Sequence, residues 1–97
     1  MKEPMVSKQM SSLDARQQLL VITMEECGEL IQACSKMIRS KGKTKYLRNL
    51  QDEIGDVMTM IEIMKMSGLV TDEQIADRMV EKKEKLMKWS MLFSDED

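Results

Sequence analysis

The stretch Leu47-Arg48-Asn49-Leu50-Gln51-Asp52-Glu53-Ile54-Gly55-Asp56-Val57-Met58-Thr59-Met60-Ile61-Glu62-Ile63-Met64 decides the fold of this chain. Leu47, Leu50, Ile54, Val57, Ile61 and Met64 recur at alternating spacings of three and four, the period of an amphipathic helix. That helix of about twenty residues should end at Ser67-Gly68, where a left-handed cap forms easily. Upstream, Leu20, Met24, Cys27, Ile31, Cys34 and Ile38 repeat the pattern and predict a helix over roughly 13 to 39, stopping before Ser40-Lys41-Gly42-Lys43. Downstream, Thr71 is an N-cap, Asp72 and Glu73 fill a first turn, and Gln74 completes a capping box. A third helix therefore runs towards Lys88 or Trp89.

No strand-like alternation, internal repeat or Gly-rich phosphate loop interrupts this pattern. The expected fold is all-α, an antiparallel helical bundle of three main helices completed by oligomerisation. The chain divides into an N-terminal arm over 1–12, which contains Pro4 and a serine pair, one helical domain over 13–93, and an acidic tail over 94–97.

Composition bounds the function. Ninety-seven residues allow one small core, near the size at which a second copy often completes the burial. A charged fraction of 33% with a net charge of -2 favours neither a nucleic-acid polymer nor an anionic membrane as partner. No run approaches a membrane span or a secretory signal, which points to a cytoplasmic protein. Cys27 and Cys34 stand seven residues apart on one helix, roughly 10 Å along its axis and beyond disulfide reach, so they are expected as small core residues. With His 0, an imidazole base and a histidine-bound zinc are both excluded. Carboxylates must do any acid-base work. Twelve methionines, with one Trp, one Tyr and one Phe, describe an adaptable core rather than a ring-built one.

Two acidic signatures carry the chemistry: Glu25-Glu26-Cys27-Gly28-Glu29 and Glu53-Ile54-Gly55-Asp56. A spacing of i, i+3 puts each pair on one helical face. Four carboxylates converging from two antiparallel helices make an all-oxygen site for a hard cation, magnesium holding a phosphorylated substrate. Acids on a helix ordinarily mark its wet side, and the first helix alone does not overturn that. Glu26 falls about 120° and Glu29 about 180° from the centre of its apolar stripe, where solvent could reach both. The second helix is different, because Met60 and Ile63 extend the apolar arc around the side that carries Glu53 and Asp56. Burying unpaired carboxylates costs several kcal/mol, so a cation or a basic partner is expected there.

Gly28 and Gly55 each lie between two of the acids, and a mid-helix glycine costs about 1 kcal/mol against alanine. A missing side chain would let another helix or a ligand approach the backbone. On the third helix, Lys82 lies within about 20° of the centre of the stripe of Ile75, Met79 and Leu86, with Lys83 about 100° further round. Either could answer an acid or a substrate phosphate, and the plainer reading is a stem snorkelling past the core edge. Arg39, Lys41, Lys43 and Lys45 make the first connection basic, as a solvated helix end ordinarily is, or as a gatherer of triphosphate. Tyr46, Trp89 and Phe93 are simpler as core or interface anchors than as base-stacking groups.

These residues resemble the MazG-like all-α nucleoside triphosphate pyrophosphohydrolases, a family related to the dimeric dUTPases, dCTP pyrophosphatase and phosphoribosyl-ATP pyrophosphohydrolase. The signature is Glu-x-x-Glu, a variable gap, then Glu-x-x-Asp. Here it reads Glu26-Cys27-Gly28-Glu29, followed by Leu30, and Glu53-Ile54-Gly55-Asp56, followed by Val57-Met58. The resemblance spans roughly residues 13 to 88. It implies Mg2+, with Mn2+ as a substitute, bound by Glu26, Glu29, Glu53 and Asp56. It also implies cleavage of a nucleoside triphosphate between the α- and β-phosphates, with Glu25 orienting water, Lys82 or Lys83 contacting phosphates, and a homo-dimer or homo-tetramer. Two other functions compete: a non-catalytic helical interaction module held by buried salt bridges, and the same fold acting on phosphoribosyl-ATP or an alarmone.

Overall fold

In a computed structural model, which describes residues 13–92, the chain forms three helices: α1 (Ala15–Ser40), α2 (Thr44–Met66) and α3 (Asp72–Trp89). The arm over 1–12, Phe93 and the tail over 94–97 lie outside the described residues.

Each helix starts and stops where local chemistry requires. At the start of α1 the Asp14 side chain accepts from the Gln17 N–H at 2.8 Å, while the Gln17 side chain accepts from the Asp14 N–H at 3.0 Å. This capping box satisfies two backbone donors that the first turn leaves open. The helix ends when Lys41 turns left-handed at φ 59° and Gly42 follows at φ 83°, with the Gly42 N–H reaching back to the Met37 carbonyl at 3.0 Å. α2 closes as the sequence predicts: Gly68 adopts φ 83° and the Leu69 N–H donates to the Met64 carbonyl at 3.0 Å. α3 opens on the expected Thr71–Gln74 capping box.

The three-residue connection folds α1 and α2 into an antiparallel hairpin, and their contact is the main packing of the chain. α3 touches the hairpin only slightly and buries no residue. The molecule is accordingly long and thin, 52 × 35 × 17 Å. The all-α arrangement of three helices is present as expected, with α1 and α2 forming its hairpin and α3 beside them.

The face that α1 turns to α2 differs from the one its apolar stripe suggests. Leu19, Ile22, Glu26, Leu30, Ala33 and Met37 are buried or half-buried, whereas the predicted stripe is exposed: Leu20 at 45%, Ile31 at 70% and Ile38 at 79%. One residue of offset is about 100° of rotation, so α1 carries two apolar faces and the hairpin uses the less obvious one. Cys27 and Cys34 belong to the outer face and are exposed, not in the core as expected. Ala33, fully buried, and Met60, 7% exposed, are the buried apolar side chains among the described residues.

Candidate metal centre

The rotation of α1 places an acid where a core residue would stand. Glu26 is 1% exposed, the most deeply buried charged side chain among the described residues, rather than open to solvent as the stripe geometry suggested. Glu53 and Asp56 are half-buried on the facing side of α2. In an antiparallel hairpin, residues advancing on one helix meet residues receding on the other, so Glu26 comes opposite Asp56 and Glu29 opposite Glu53. Glu26, Glu53 and Asp56 each offer a carboxylate oxygen, and these oxygens lie within 4.8 Å of one another.

The electrostatics follow from that crowding. Burial, then the charges of Asp56, Glu29 and Glu25, raise the Glu26 pKa above its ordinary value. Burial also raises that of Glu53, followed by the charges of Glu29, Asp56 and Glu26 and a side-chain hydrogen bond with Glu29. Each effect disfavours the charged form. Among the described residues, Oε1 of Glu26 and Oε1 of Glu53 are sealed from water without a hydrogen-bond partner. Buried polar atoms are rarely left so, and each orphan costs about 1–3 kcal/mol. An oxygen-only donor set with unmet acceptors fits a hard divalent cation.

Above these carboxylates opens a cleft of about 310 Å3, lined by Glu29, Gln32, Lys36, Asn49, Asp52, Glu53 and Asp56. Four of these residues escaped the sequence reading: Gln32, Lys36, Asn49 and Asp52. The signal was present, since Gln32 and Lys36 follow Glu29 at three and seven, and Asn49 precedes Glu53 by four, all on one face. Glu25 is half-buried beside Glu26. Lys82 and Lys83 are exposed on α3 and do not line this cleft. Beyond its own helix backbone and chain neighbours, no atom of the described residues lies within 4 Å of where a Cβ would stand on Gly28 or Gly55, so neither glycine serves a close helix approach among them.

A family model for the MazG nucleotide pyrophosphohydrolase domain matches residues 14–90. The chain belongs to the MazG family. The match begins at the Asp14 cap and ends at Ser90, so the MazG domain coincides with the three helices. Comparison with curated proteins and with solved structures gave no match. Membership makes the chain a nucleotide pyrophosphohydrolase in general type, and the clustered acids of this MazG domain suit the divalent-metal dependence of such enzymes. Among the described residues, no helix is long and apolar enough to cross a membrane.

Proposed function

We propose that the chain hydrolyses (deoxy)nucleoside triphosphates between the α- and β-phosphates, releasing a nucleoside monophosphate and pyrophosphate, with Mg2+ held by Glu26, Glu29, Glu53 and Asp56. The observation that carries this reading is the pair of orphaned, buried oxygens on Glu26 and Glu53 beneath a polar cleft. When bound, Mg2+ or Mn2+ neutralises polyphosphate charge and polarises the phosphorus centre. The protein's own groups do the rest. Glu26 and Glu53, held by opposing helices, fix the site's position; a carboxylate of the cleft takes the proton of the attacking water; Glu25 orients that water.

A pure interaction module fits less well. It would pair the acids with Lys82, yet Lys82 is exposed, and no ion pair of the described residues involves it. An oligomer is part of the proposal. Among the described residues, only two apolar side chains, Ala33 and Met60, are buried, while Leu20, Met24, Ile31 and Ile38 stand exposed on one side of α1. At about 25 cal/mol per Å2, covering that side with a second copy supplies stabilisation that one hairpin lacks. In a dimer or tetramer, Lys82 and Lys83 would serve a neighbour's cleft rather than their own.

The test is a panel of canonical and modified nucleoside triphosphates, phosphoribosyl-ATP and an alarmone, each incubated with Mg2+ and assayed for pyrophosphate and monophosphate together. Pyrophosphate release from one class supports the reading and names the substrate. A folded protein inert to the whole panel overturns it.

A further inference from the structure

Next to the carboxylate cleft lies a second concavity of opposite character. A pocket of about 330 Å3 at the closed end of the hairpin is lined by Lys36, Arg39, Ser40, Lys43 and Tyr46. Lys36 also lines the cleft, so one side chain joins the two. The fold has sorted the cations of the first connection. Arg39 and Lys43 line the pocket, whereas Lys45 turns its Nζ over the Tyr46 ring, 5.3 Å from the centroid, and Lys41 occupies the left-handed turn.

Along one face of α1 the order is Glu26, Glu29, Gln32, Lys36, Arg39: acids, then an amide, then bases. Such a gradient suits an elongated ligand whose parts carry different charge. Among the described residues, the ion pairs involve Lys65 and Arg78, and none engages Lys36, Arg39 or Lys43. Like charges three and four apart on a helix repel mildly, so this convergence has no internal reward. The start of α2 beside Lys43 also carries no side-chain cap and no acid in its first turn, so no group there competes for an anion.

We propose that this pocket receives the pyrophosphate half of the substrate, with the β- and γ-phosphates directed to the closed end of the hairpin and the α-phosphate over the carboxylates. The proposal rests on the pyrophosphohydrolase reading and gives the substrate a direction. As the water oxygen bonds to the α-phosphorus, the bond from that phosphorus to the αβ-bridging oxygen breaks. The leaving pyrophosphate keeps the electron pair, and its charge develops beside Lys36, Arg39 and Lys43. The water's proton passes to a carboxylate of the cleft. A triphosphate, which fills the pocket more completely than a diphosphate, is preferred for that reason.

The experiment compares the wild type with Arg39→Gln/Lys43→Gln, whose side chains are both exposed and outside the carboxylate cluster. Circular dichroism checks that the fold is kept. Two quantities are read in Mg2+: kcat/KM for a nucleoside triphosphate and for its diphosphate, and calorimetric binding of inorganic tripolyphosphate. The expected result is a loss of at least about tenfold in kcat/KM for the triphosphate, carried by KM, and a smaller loss for the diphosphate. Tripolyphosphate should bind at least about tenfold more weakly. An active wild type whose triphosphate kinetics and tripolyphosphate binding the substitutions leave unchanged overturns the pocket and spares the activity. An inert wild type that still loses tripolyphosphate binding on substitution overturns the activity and supports the pocket.

Discussion

Glu26 on α1 and Glu53 on α2 bring carboxylate oxygens within 4.8 Å of each other across the hairpin, and each keeps one oxygen buried without a hydrogen-bond partner. Nothing in the folding of a single helical hairpin rewards this arrangement. Two acids raised in pKa by burial and by the charges of neighbouring carboxylates, Asp56 and Glu29 among them, oppose the fold that holds them. Such strain belongs to a site kept for a ligand.

The first consequence is a trade between stability and activity. Glu26→Gln and Glu53→Gln keep shape and remove charge, so each should stabilise the metal-free protein by about 1–2 kcal/mol. The same substitutions should lower catalytic activity by at least about 100-fold, since ligands matter more than the outer groups that orient them. Thermal melts in chelator and initial rates in Mg2+ test both halves. Variants less stable than the wild type in chelator would show that the acids are internally satisfied.

A second consequence concerns pH. Both groups have folded-state pKa values raised above the ordinary value of 4.5, so the native state holds protons that the unfolded chain has released. Below pH 4.5 both states are protonated and the pair contributes nothing. Rising from 4.5 through the folded pKa values, stability falls, and above them the full penalty persists. Metal-free protein should therefore melt higher near pH 5 than at pH 7, while added Mg2+ should raise the melting temperature more at pH 7 than at pH 5. A melting temperature that rises with pH in chelator would contradict this.

Much of this was legible in the sequence. The Thr71–Gln74 box and the Gly68 cap are local devices, readable because their partners lie three to five residues away. The face of α1 was not, because that helix has two apolar sides and periodicity shows only the stronger. The stronger side puts Glu26 in solvent and Cys27 and Cys34 in the core, and the structure has the reverse. The cleft wall of Gln32, Lys36, Asn49 and Asp52 forms only when the hairpin sets two helices in register, a long-range fact that no single helix encodes.

The glycines give a third prediction. Among the described residues, a Cβ at Gly28 or Gly55 meets no atom within 4 Å beyond its own helix backbone and chain neighbours, so alanine at either should raise stability by about 1 kcal/mol through helix propensity alone. If the open backbone serves a ligand, these more stable variants should lose activity. Melting curves and kcat/KM on Gly28→Ala and Gly55→Ala separate the two effects, and a loss of stability would show a close neighbour.

The outer face of α1 gives a fourth. Ile31→Lys places a charge among Leu20, Met24 and Ile38, all exposed within one chain. Light scattering should find the wild type as a dimer or tetramer and this variant shifted towards monomer, with lower activity. A wild type that is monomeric at working concentration would remove the oligomer from the proposal.

The most direct measurement follows nucleoside monophosphate and pyrophosphate together from one triphosphate, with wild type and Glu53→Gln, in Mg2+ and in chelator. Equal amounts of the two products, formed only by the wild type and only with the metal, are expected. Orthophosphate in place of pyrophosphate, or the same rate in chelator or from Glu53→Gln, would contradict the assignment of the buried carboxylates as the metal site of a pyrophosphohydrolase.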